Sequence, residues 1–122
     1  MPKTILVVDD NDGVRRVMSE MLRVEGYLIE SAACGAEALE AIRRREPDAI
    51  VLDMMMPDMA GVEAIGTVRR EGVRSRIVAV SGMSYLLEAA KRAGADEVLL
   101  KPMSPEDLVA AIERVLGKGA TA

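Results

Sequence analysis

Histidine, tryptophan and phenylalanine are absent from the 122-residue chain, and cysteine occurs once, at Cys34. Without histidine, no Ser-His-Asp or Cys-His nucleophilic arrangement and no histidine-ligated metal can be built from this chain. A single cysteine excludes an intramolecular disulfide and a thiolate zinc cluster, and a reducing, cytoplasmic setting is expected. The aromatics are Tyr27 and Tyr85 alone, too few for a base-stacking platform. The formal net charge is −4, the wrong sign for the basic face of a nucleic-acid binder, so no direct nucleic-acid contact is expected. No hydrophobic run exceeds five residues, far short of the roughly 20 needed to span a bilayer as a helix, so no membrane insertion is expected. The first apolar run ends at Asp9-Asp10 and is not expected to act as a secretory leader.

Half of the residues are hydrophobic and 30% are charged, the balance of an ordinary globular domain. At roughly 100–200 residues per domain, the length suits one domain. It is expected to cover 1–122, with a core from 3 to 117 and a short frayed C-terminal tail. Apolar runs alternate with amphipathic stretches. Strands are expected at 4–8, 27–31, 49–52, 77–80 and 98–100. Each is followed by a helical pattern that glycine or proline closes: Gly26, Pro47, Gly72, Gly94 and Gly117. Val14, Val17, Met18, Met21 and Leu22 form the expected inner stripe of the first helix. The last helix carries the fullest start signal, with Ser104 as cap, Pro105 in the first turn, and Glu106 and Asp107 at the positive end of the dipole. Short, continuously apolar strands in strict alternation with helices indicate an α/β fold with a parallel sheet covered on both faces.

The polar residues concentrate at strand ends. Asp9 and Asp10 follow the first strand, Asp53 the third, Ser81 the fourth and Lys101 the fifth. In a parallel sheet all these ends lie at one edge, where open α/β folds bind ligands. Three carboxylates brought together repel one another unless a positive charge joins them. Magnesium, which prefers oxygen ligands and often shares carboxylates with phosphate, is the expected ion, with manganese as a substitute. A carboxylate can also act as nucleophile and become an aspartyl phosphate. Ser81 and Lys101 would then offer a hydroxyl and a positive charge to phosphate oxygens.

These motifs resemble the receiver domain of two-component response regulators. The likeness runs from 3 to 116 and rests on Val8-Asp9-Asp10, Asp53 with Met54-Met55-Met56-Pro57 and Gly61, Ser81, Gly94-Ala95-Asp96 and Lys101-Pro102. Each motif alone is weak; in order, each at a strand end or turn, they are specific. The resemblance implies a flavodoxin-like, doubly wound five-stranded sheet of order 2-1-3-4-5 with five helices. It implies that Asp53 accepts the phosphoryl group. Asp10 and Asp53 would bind magnesium directly, Asp9 would assist mostly through water, and Met55 would lend its backbone carbonyl. Ser81 would bond the phosphoryl oxygen, and Lys101 would pair with Asp53 across an expected cis bond to Pro102. The donor would be a histidine kinase or a histidine phosphotransfer protein. The output would be an unidentified protein contact on the face of the fourth helix, fifth strand and fifth helix, with Tyr85, Leu86, Leu87 and Val98 as its residues. Such a domain modifies only itself and is not an enzyme acting on other substrates.

Two positions depart from the family pattern. Val98 stands where a Tyr or Phe ring often swings inward, and valine has no ring to rotate. Gly82 replaces a more frequent alanine and is expected to leave open space beside the phosphoryl site. A free-standing phosphorylation switch is the reading these residues favour, and with the sequence stopping at residue 122 an attached output domain is not expected. A phosphate shuttle within a relay, or a receiver excised from a hybrid kinase, remain alternatives. A magnesium-dependent aspartyl-phosphate phosphatase fits less well, because Met55 occupies the place where those enzymes carry a second acid. Cys34 is read as structural or idle, and Arg43-Arg44-Arg45 as a solvated helix end that complements its dipole rather than a nucleic-acid patch. Arg15 and Arg16 lie on the helix that, by resemblance, borders the kinase-docking face.

Overall fold

The apolar runs of the chain become the strands of a parallel sheet whose two faces are filled by alternate residues. A computed structural model describes residues 2–117. The order is β1 (Thr4–Val8), α1 (Asp12–Val24), β2 (Leu28–Ala32), α2 (Gly35–Arg44), β3 (Ala49–Asp53), α3 (Gly61–Arg70), β4 (Arg76–Ser81), α4 (Ser84–Ala93), β5 (Glu97–Leu100) and α5 (Pro105–Leu116). The strands lie in the order β2-β1-β3-β4-β5, all parallel. This is the expected 2-1-3-4-5 sheet, flavodoxin-like, with its five helices. The expected frayed tail falls beyond Gly117 and lies outside the described residues.

The pleat sorts side chains by parity. Ile5, Val7, Ala49, Val51, Val78 and Val80 pack with α1 and α5. Leu6, Val8, Ile50, Leu52, Ile77 and Ala79 pack with α2, α3 and α4. The central strands are apolar on both sides because both sides are covered. The edge strands are less covered: in β2 Leu28 and Ser31 are exposed, and in β5 Glu97, Val98 and Leu99 are half-buried and Leu100 is exposed. Among the described residues no helix is long and apolar enough to cross a membrane.

Several element ends differ from expectation by one or two residues. β3 and β4 run on through Asp53 and Ser81, since the ladder pairs Asp53 with Val80 and Ser81 with Leu100. α4 begins at Ser84, ahead of its first buried residue. The stripe of α1 is narrower than its spacing suggested. Met18 and Leu22 are buried, whereas Val17 is 57% exposed and Val14 lies at the surface.

Candidate functional site

The site is made by the ends of four strands. β1 delivers Asp9 and Asp10, β3 delivers Asp53, β4 delivers Ser81, and β5 is followed by Lys101. Local sequence fixes each connection. After Asp9 and Asp10, Asn11 caps α1 by accepting the Val14 N–H at 2.9 Å. The connection after Asp53 doubles back on itself, and Gly61 N–H donates to the Met54 carbonyl. A Cβ on Gly61 would lie 2.7 Å from the Met54 Cα, so only glycine fits this approach. The Lys101-Pro102 bond is cis, as expected.

One oxygen from each of Asp9, Asp10 and Asp53 lies within 4.8 Å of the others. Asp9 is 1% exposed and Asp53 8% exposed, while Asp10 is open to solvent. Asp9 Oδ1 accepts the Asn11 N–H at 2.9 Å, and Asp53 Oδ1 accepts the Met55 N–H at 3.0 Å. Asp9 Oδ2 is buried without a hydrogen bond. Lys101 Nζ stands 3.5 Å from that oxygen and 3.9 Å from Asp53 Oδ2. The lysine was expected beside Asp53; it sits between both carboxylates, slightly nearer Asp9. Burial pushes the Asp53 carboxyl above the usual range. The Met55 N–H and Lys101 oppose that shift, and the charges of Asp9 and Asp10 add to it.

A hard divalent cation fits this set. The donors are all carboxylate oxygens, one of them buried without a hydrogen bond, and a single lysine does not balance three negative charges. Ser81, 2% exposed, accepts the Met83 N–H at 3.0 Å on its Oγ. Among the described residues no acceptor takes its hydroxyl proton. Met55 and Met83 are exposed at the rim, whereas Met54 and Met56 are buried beneath it. A Cβ on Gly82 would meet nothing within 4 Å, in keeping with the expected open space.

The chain is matched by the response regulator receiver domain model over residues 5–113. It belongs to that family. It is 40% identical over 118 residues to the response regulator MprA of Mycobacterium sp. (strain KMS), covering 95% of this chain and 51% of that protein. The chain spans about half the length of the curated relatives it matches. Among solved structures, the chemotaxis response regulator CheY4 of Vibrio cholerae superposes with a TM-score of 0.89 at 32% identity, over 94% of this chain and 99% of that one. A CheY-like receiver domain protein from Methanospirillum hungatei gives 0.91 at 28% identity, over 99% and 98%.

Other motif residues of this receiver have structural duties that the sequence did not disclose. Arg69 explains the Gly94-Ala95-Asp96 turn. Its guanidinium donates to the carbonyls of Gly94, Val73 and Ser75 and pairs with Asp96 at 3.0 Å. Asp96 in turn accepts the Ile77 N–H. Asp58, in the connection after β3, accepts the N–H groups of Gly35 and Ala36 at 2.8 Å each and so caps α2 from outside. Those bonds hold its carboxyl below the usual range. Only pairing across 22 or more residues reveals this role. Arg43 is more than a solvated helix end, since it pairs with Glu71 beyond α3. The expected contact face is corrected at Leu87, which is buried because it points inward from α4. Tyr85 is 66% exposed, and Leu86 and Val98 are half-buried against the core.

Proposed function

We propose that this receiver is a phosphorylation-controlled switch that accepts a phosphoryl group on Asp53. The observation that carries the reading is the convergence of Asp9, Asp10 and Asp53 within 4.8 Å, beside Lys101 and the buried hydroxyl of Ser81. Asp10 and Asp53, with the Met55 carbonyl, would hold magnesium, and Asp9 would support them. When bound, the ion supplies positive charge for the carboxylates and for the transferring phosphoryl group. Asp53 Oδ1 is held by the Met55 N–H, which leaves Oδ2 to attack phosphorus in line with the leaving group. The product is an acyl phosphate with an added charge of about −1.5 to −2. Ser81 donates its hydroxyl proton to a phosphoryl oxygen, and Lys101 turns from the carboxylates toward the new charge.

The donor is a phosphohistidine on a kinase or phosphotransfer protein, and a small acyl phosphate replaces it in vitro. Output is a protein contact on the face of α4, β5 and α5, with Tyr85 its most exposed apolar residue. The length of the native reading frame decides between a free-standing receiver and the receiver part of a longer regulator. The central test is intact mass after incubation with magnesium and a small acyl phosphate. One added phosphoryl group is expected, abolished by Asp53→Asn and by chelation. Labelling that persists in Asp53→Asn would overturn the assignment. Catalytic turnover of a phosphomonoester, in place of stoichiometric labelling, would favour a phosphatase.

A further inference from the structure

The carboxylates of Asp9 and Asp10 are placed by the short connection between β1 and α1, and one side chain reaches back across it. Arg15, in the early part of α1, donates from Nη1 to the main-chain oxygen of Asp9 at 2.7 Å. From Nη2 it donates to Asp12 Oδ1 at 2.6 Å. Its side chain is 19% exposed, whereas its neighbour Arg16 lies at the surface. One turn on, the Ser19 hydroxyl, itself buried, donates to the Arg15 main-chain carbonyl at 2.8 Å. A planar guanidinium thus forks between the backbone of a site residue and the first turn of α1. A lysine, with one point charge, does not reproduce that fork.

We propose that Arg15 is a positioning residue: by tying the Asp9 main chain to α1 it sets the Asp9 and Asp10 carboxylates for a divalent cation. The proposal rests on the metal reading of the site given above. Charge alone works in the opposite direction. A cation near the site repels another cation, so removing it on electrostatic grounds would tighten metal binding. Loss of the clamp loosens the ligands and weakens binding. The sign of the change therefore separates the two effects.

The test is titration of the full chain with Mn²⁺ alone, reading free ion by electron paramagnetic resonance, with far-UV circular dichroism in chelator to confirm folding. For Arg15→Met the expected loss of Mn²⁺ affinity is about 10-fold or more, the lower end for removal of a group that orients metal ligands. Arg15→Lys keeps the charge and loses the fork, and it too is expected to bind more weakly than wild type. Val17→Ala, at an exposed position of the same helix, touches neither the arginine nor the connection and is expected to leave Mn²⁺ affinity unchanged. Equal or tighter binding by Arg15→Met, or wild-type affinity in Arg15→Lys, overturns the proposal. Wild-type binding that Asp10→Asn abolishes, with both Arg15 variants unaffected, sinks this inference alone. Absence of binding in wild type sinks the metal reading and this one with it.

Discussion

A buried carboxylate that attracts a cation should make the cation-free protein less stable than its neutral isostere. Asp53→Asn is the perturbation. The nearest oxygens of Asp9 and Asp10 lie within 4.8 Å, and at an effective dielectric near 20 each such repulsion is about 3.5 kcal/mol. Exposure of Asp10 weakens its share. Lys101 at 3.9 Å offsets about 4 kcal/mol on the same scale. Asparagine keeps an oxygen for the Met55 N–H, so that bond survives in a neutral form. The net relief is about 1–3 kcal/mol, equivalent to a rise in melting temperature of several degrees for a domain of this size. The folded pKa of Asp53 is raised, so its unfavourable contribution is absent at low pH and appears as pH climbs through the folded value. Melting by far-UV circular dichroism in chelator should therefore show the variant ahead at pH 7 and level with wild type below about pH 3.9. Magnesium at ten times its dissociation constant should add about 1.4 kcal/mol to wild type and much less to the variant. Equal melting points at pH 7 in chelator, or equal stabilisation by magnesium, would refute the reasoning.

Other positions give sharper structural tests. Gly61→Ala places a Cβ against the Met54 backbone and should cost about 1–3 kcal/mol by denaturant unfolding. Gly82→Ala meets open space and should stay within about 0.5 kcal/mol of wild type in the same experiment. Arg69→Met leaves the carbonyls of Gly94, Val73 and Ser75 without their shared donor and should cost about 2–4 kcal/mol, read from the unfolding midpoint at constant slope. Asp58→Ala should lower the melting temperature at neutral pH, by a margin that shrinks as the pH falls through the depressed folded value and the carboxylate is protonated. The contribution of a depressed carboxyl is present above its unfolded pKa and lost through its folded one.

What could be read from the chain followed short-range physics. Period and punctuation gave five strands and five helices, and parity on fully apolar strands implied a sheet covered on both faces. The site residues were legible because a parallel sheet forces strand ends to one edge, whatever their separation in sequence. Element ends were less legible, since Asp53 and Ser81 look like loop residues until a neighbouring strand pairs with them. Groups whose partners lie on other elements left no local trace. Arg69 reads as an ordinary arginine at a helix end, and Asp58 as a turn residue after proline. Leu87 illustrates the same gap. Three consecutive side chains at the start of α4 differ in burial, and sequence alone did not say which of them faced in.

The missing aromatic at Val98 directs attention to a different link between site and surface. Ser81 Oγ accepts the Met83 N–H, and Met83 is the residue from which α4 starts, without a side-chain cap. On the proposed reading, a phosphoryl group draws the Ser81 hydroxyl toward Asp53. The Lys101 N–H holds the Ser81 carbonyl at 2.9 Å, so the side chain moves more readily than the strand. Movement of Oγ then weakens a bond that ties the start of α4 to the site. Tyr85, exposed one residue into the helix after Ser84, lies at the end of this short path. A valine half-buried under the same helix offers no ring to change places. On that reading, the route from charge to contact face runs along the connection from β4 to α4 rather than through β5.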